Sequence, residues 1–112
     1  MHVLLIEDDR AHARLNQETL AEVKDPPCEL EHVERLSLGL KSLASGGIDV
    51  VLLDLSLPDN QGFDTFAKVH TQAPDVPIVV LTGLDDETVA MKAVQKGAQD
   101  YLNKKDVLKE GH

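Results

Sequence analysis

The sequence predicts an α/β fold, a parallel sheet of five strands with helices on either side. Three observations point there. Val50-Val51-Leu52-Leu53 and Ile78-Val79-Val80-Leu81 are continuous apolar runs too short for typical helices, the pattern of strands buried on both faces. Strand-like and helix-like segments alternate along the chain, which argues for parallel strands joined by right-handed crossovers. The central run ends on Asp54 and then Pro58, and strands of such sheets present ligand-binding residues at their carboxyl ends.

Each element has its own signal. His2–Ile6 is a short apolar first strand, followed by Glu7-Asp8-Asp9. Over residues 10–24, Ala11, Leu15, Leu20 and Val23 recur at roughly helical spacing, and Asp25-Pro26-Pro27 stops that helix. Residues 28–34 read as a strand heavy in charge, which suits a place near the sheet edge. Leu36, Leu40 and Leu43 share one face of a second helix, ended by Gly46-Gly47. Residues 48–54 form the central strand, and Pro58 and Gly62 shape the loop leaving it. Phe63, Phe66, Ala67 and Val69 mark a third helix closed by Pro74. Residues 77–81 are the fourth strand. Asp85-Asp86-Glu87 begin a fourth helix, where the dipole favours acids, and Gly97 ends it. Residues 100–102 are a short fifth strand ending near Lys104. Val107 and Leu108 begin a fifth helix that is truncated or absent. Residues 1–109 are thus read as one domain, and 110–112 as an expression-tag remnant.

Composition excludes several classes. A chain of 112 residues is long enough for one well-buried core. Its net charge of -9 repels phosphate backbones, which argues against direct nucleic-acid binding. The single cysteine, Cys28, allows no internal disulfide. No apolar run approaches the ~20 residues of a membrane span, and the start lacks a signal-peptide pattern. A cytoplasmic location is expected, with no membrane contact.

The chemistry gathers at strand ends. Glu7 and Asp8 follow the first strand, Asp54 ends the third, Thr82 ends the fourth and Lys104 follows the fifth. A parallel sheet brings these ends to one edge. Taken singly the signals are ordinary, since Asp54 can serve as a helix cap and Thr82 before Gly83 as a turn residue. Together they form a site. Three converging carboxylates repel one another unless a hard cation intervenes, and oxygen ligands select magnesium or calcium over zinc. Magnesium uses one or two carboxylates and keeps waters that a phosphate can replace. His2, His12, His32, His70 and His112 show no ligand spacing, which disfavours zinc. An ionised carboxylate is already a nucleophile and needs no general base, as in aspartyl-phosphate chemistry. The Thr82 hydroxyl and the Lys104 ammonium complete an electrostatic clamp for a phosphoryl group.

These residues sit in motifs that resemble the receiver domain of two-component response regulators, and chemotaxis regulators among them. The matching stretches are Leu5-Ile6-Glu7-Asp8-Asp9, then Leu53-Asp54-Leu55-Ser56-Leu57-Pro58-Asp59 with Gly62. Leu81-Thr82-Gly83 and Gly97-Ala98-Gln99-Asp100-Tyr101-Leu102-Asn103-Lys104 follow. The resemblance, not the spacing, implies the flavodoxin-like doubly wound strand order 2-1-3-4-5, for which a chemotaxis regulator of this family is a standing example. It implies that Asp54 accepts phosphate from a histidine kinase or a histidine phosphotransfer protein. It implies that Asp8, Asp54 and the backbone carbonyl of Ser56 bind magnesium, with Glu7 reaching the metal through water. Thr82 and Tyr101 match the family's switch pair, which alters the surface near the fourth helix and fifth strand. Lys104 matches its phosphate-binding lysine. An output domain in the full-length protein is implied as well, and the oligomeric state is left open. The family usually has proline after that lysine. Here Lys105 follows, and a trans bond is expected because cis costs ~3–4 kcal/mol without proline.

Two other readings compete. A magnesium-dependent phosphatase with an aspartyl nucleophile typically carries a second Asp two residues later, where this chain has Ser56. A receiver serving only as an interaction surface has no use for intact Asp54, Thr82 and Lys104. The expectation is therefore a phospho-accepting module that catalyses only its own phosphorylation and dephosphorylation.

Overall fold

In the computed structural model, residues 2–8, 29–82 and 87–103 are described. The expected helix over 10–24, Cys28, the acids Asp85 and Asp86, Lys104, Lys105, the start of a fifth helix and the tail 110–112 lie outside them. Five strands form one parallel sheet: β1 (His2–Ile6), β2 (Glu29–Val33), β3 (Val50–Asp54), β6 (Ile78–Thr82) and β7 (Asp100–Asn103). Their spatial order is β2-β1-β3-β6-β7, the flavodoxin-like order expected. The charged strand β2 lies at an edge, and the apolar strands β1, β3 and β6 are central, because only a strand paired on both sides and covered on both faces can be continuously apolar.

Two further strands, β4 (Ser56–Leu57) and β5 (Asn60–Gln61), pair antiparallel into a small ribbon where a plain loop was expected. Pro58 and Asp59 form its tip. Leu57 is buried within it, and the Gly62 N–H donates to the Leu55 carbonyl at 2.8 Å, closing the ribbon before the next helix. Gly62 takes φ 77, a left-handed conformation that glycine adopts without strain.

Three helices are described: α1 (Leu36–Ser45), α2 (Phe63–Gln72) and α3 (Glu87–Gln95). Leu36 and Leu43 of α1, Phe66 and Val69 of α2, and Ala90 and Ala93 of α3 share a core with Leu4, Ile6, Val51, Leu53, Ile78 and Val80. Alternate residues of the same strands, Leu5 and Leu81, form a second buried cluster, with Leu30 and Leu52 packed against it. Period-two alternation thus divides each continuous apolar run between two faces. Gly39 lets α1 approach the sheet closely: a Cβ there would lie 2.9 Å from Ile6 Cγ1.

Helix α1 has an unusual start. Arg35 stands at its N-cap with extended backbone and no capping side chain. The Asp59 carboxylate, at the ribbon tip, accepts the Leu36 N–H at 2.8 Å and the Ser37 N–H at 3.0 Å instead. Two of the helix's orphan donors are satisfied from another part of the chain.

Candidate functional site

Register places the site. Ile6 pairs with Leu53 across β1 and β3, so Glu7 and Asp54 are each the next residue along adjacent strands. Carboxylate oxygens of Glu7, Asp8 and Asp54 lie within 4.8 Å of one another. Glu7 and Asp54 are buried, at 0% and 1% exposure, while Asp8 is exposed at the mouth. The Glu7 backbone is held in place: its N–H donates to the Val33 carbonyl at 3.0 Å, and its carbonyl lies 2.7 Å from His32 Nε2. A carbonyl only accepts, so the His32 ring carries its proton on Nε2.

Thr82 ends β6 beside β3, where Asp54 pairs with Leu81. Its side chain is buried, and its hydroxyl makes a long 3.5 Å contact to the Leu102 carbonyl on β7. Tyr101, half-buried on β7, packs its ring against the core and donates its hydroxyl to Glu87 Oε1 at 3.4 Å. The structure thus brings Glu7, Asp8 and Asp54 together and sets Thr82 and Tyr101 on the two strands beyond them. Ser56 opens β4, two residues past Asp54. Lys104 follows the last residue of β7 and lies outside the described residues.

The donor set suits one class of metal. Three carboxylates within 4.8 Å offer only oxygen, and their mutual repulsion favours a hard divalent cation. Asp8 is the exposed member of the cluster, so the site meets solvent on that side. Magnesium fits this arrangement, which gives few protein ligands and retained waters.

Two features were missed from the sequence. The Asp59 cap pairs residues 22 and 23 positions apart, and nothing local marks Pro58-Asp59 as more than a turn. Glu87 carries a helix-start signal, yet it also accepts the Tyr101 hydroxyl. For Glu87 no local signal existed, because its partner comes from a different strand.

A family model described as the response regulator receiver domain matches residues 3–110. The swarming motility regulation protein RssB of Serratia marcescens is 31% identical over 98% of this chain and 49% of its own length. The cell cycle transcriptional regulator CtrA of Caulobacter vibrioides is 35% identical over 93% of this chain and 44% of its own. The chain spans about half the length of these curated relatives. Among solved structures, the signal receiver domain of a putative LuxO repressor protein from Vibrio parahaemolyticus superposes with a TM-score of 0.78 at 29% identity. That match covers 97% of this chain and 84% of the other. The signal receiver domain of an HD domain-containing protein from Pseudomonas fluorescens Pf-5 gives 0.79 at 25% identity, over 99% and 88% of the two chains.

Proposed function

The chain belongs to the response regulator receiver domain family, and from that premise we propose that it accepts a phosphoryl group on Asp54. The observation that carries this is the acidic cluster, in which buried Asp54 sits with Glu7 and Asp8 at the carboxyl ends of adjacent parallel strands. The donor is a phosphohistidine on a histidine kinase or a histidine phosphotransfer protein. An Asp54 carboxylate oxygen attacks phosphorus, the P–N bond breaks, and the imidazole leaves with its electron pair. Asp8, Asp54 and the Ser56 backbone carbonyl would hold magnesium, with Glu7 reaching it through water, and the ion would be a Lewis acid there. When bound, such an ion would neutralise the charge that the carboxylates and a phosphoryl group bring together. The Thr82 hydroxyl donates to a phosphoryl oxygen, and the Lys104 ammonium balances the charge added there. The same residues allow hydrolysis of the acyl phosphate, so the domain times its own signal and turns over no external substrate.

An output domain beyond this segment reads the switch in the full-length protein, at α3 and β7. The charge of -9 points away from direct nucleic-acid binding by this domain. No helix among the described residues is long and apolar enough to cross a membrane, and we place the domain in the cytoplasm. The test is intact mass after incubation with acetyl phosphate and magnesium. Wild type gains one phosphoryl group and Asp54→Asn gains none. Equal labelling of the two refutes the assignment.

A further inference from the structure

The ribbon that leaves the phospho-acceptor strand is anchored at its far end to a helix from earlier in the chain. Asp54 ends β3, Ser56 and Leu57 go out along β4, and Asn60 and Gln61 return along β5. The root of this ribbon is closed by the Gly62 N–H to Leu55 carbonyl bond, and buried Leu55 and Leu57 seat it on the core. The tip is tied separately. Both oxygens of Asp59 accept backbone N–H groups of α1, from Leu36 and Ser37, while the N-cap residue Arg35 contributes no side-chain bond.

We propose that Asp59 is a positioning residue for the acidic site: its clasp on α1 fixes the ribbon and with it the Ser56 carbonyl, two residues past Asp54. This rests on the reading of Asp54 and Ser56 as cation ligands. A backbone carbonyl can contribute to an octahedral site only if its peptide plane is held in one orientation, since magnesium demands near-ideal geometry. A two-residue strand pair is too short to hold itself. Fastened at both ends, the ribbon keeps that plane fixed before a cation arrives. The clasp is charge-assisted, with an anion at a helix N-terminus. Burial pushes the Asp59 carboxyl up, yet the N–H groups of Ser37 and Leu36 outweigh it and hold the group below its ordinary value. Linkage makes the effect reciprocal: cation binding must tighten the clasp as much as the clasp tightens cation binding.

The two roles of Asp59, capping α1 and placing the ribbon, can be separated. Arg35→Ser puts a capping hydroxyl at the N-cap itself, and so restores the helix without restoring the tether. A magnesium titration followed by amide NMR reads both. In wild type, the Leu36 and Ser37 amide signals should move with the same midpoint as the acidic site. Asp59→Ala should lower the melting temperature and weaken magnesium binding roughly tenfold, the scale of losing a partner that orients a metal ligand. Arg35→Ser with Asp59→Ala should recover the melting temperature but not the affinity. Recovery of both, unchanged affinity in Asp59→Ala, or Leu36 and Ser37 signals indifferent to magnesium overturns the proposal. Should Asp59→Ala not fold, Asp59→Asn keeps one accepting oxygen and carries the same comparison. If Asp8→Ala and Asp54→Asn bind magnesium as tightly as wild type, the acidic site itself is misread, and the clasp falls with it.

Discussion

A single carboxylate here joins two parts of the chain that lie far apart in sequence. Asp59 is exposed at the ribbon tip, yet its two oxygens take two helix N–H groups. Its carboxyl is held below the ordinary value of 3.8 because hydrogen bonds to the charged form outweigh desolvation. The folded state therefore binds this proton less readily than the unfolded chain does. The resulting stabilisation is fully present above pH 3.8 and fades as pH falls through the lower folded value. Exposure keeps it small, a fraction of ~1 kcal/mol after solvent screening. Urea melts of wild type and Asp59→Asn should differ at pH 6, and the difference should shrink as the solution is acidified toward pH 3. A gap that widens on acidification contradicts this account.

At the scale of elements, packing between helix and strand decides what each position tolerates. Alanine at position 39 gains helix propensity worth ~1 kcal/mol over glycine. Its Cβ must displace the buried Ile6 side chain, however, approaching Cγ1 to 2.9 Å and Cδ1 more closely still. Overpacking a tight core costs about 1–3 kcal/mol, so the clash wins and Gly39→Ala should destabilise. Adding Ile6→Val, which removes Cδ1, should return part of the loss in denaturant melts. The pair α3 and β7 carries the second prediction at this scale. A phosphoryl group on Asp54 should draw the Thr82 hydroxyl from the Leu102 carbonyl, its 3.5 Å partner, and Tyr101 should leave Glu87 to fill the space behind. This biases two pre-existing states. Beryllofluoride, a phosphoryl mimic, should shift amide signals through 83–102. Shifts confined to the loops around Asp54 mean that no such switch operates.

For the whole molecule, the acidic site sets a tension between stability and function. Three carboxylates within 4.8 Å repel one another in the folded state, whereas an unfolded chain holds them apart. Removing one charge should stabilise the metal-free protein, because like charges this close disfavour the folded state. Magnesium at 100 times its dissociation constant should stabilise wild type by about 2.7 kcal/mol. In a domain of this size that corresponds to a rise of roughly 10 °C in melting temperature. Asp54→Asn should melt higher than wild type in EDTA and gain little from magnesium. Parallel magnesium responses in the two proteins sink the reading.

By itself the sequence determined the α/β class, the five strands and the residues at their carboxyl ends. Continuous apolar runs such as Ile78-Val79-Val80-Leu81 admit few other structures, and strand-end chemistry follows from the direction of the chain. The strand order came from family motifs, because periodicity carries no information on which strands are neighbours. Only the tertiary structure decided that Asp8, exposed, stands within reach of buried Glu7 and Asp54. It also decided that a ribbon replaces the loop after Asp54, that Asp59 caps a helix beginning at Leu36, and that Tyr101 meets Glu87. The physical reason is common to the acidic cluster, the Asp59 cap and the Tyr101–Glu87 contact. Local pattern reports how a segment folds against its own neighbours in sequence. A hydrogen bond between residues 14 or 22 apart, or a cluster that joins Glu7 and Asp8 to Asp54, depends on where the sheet and helices carry each backbone.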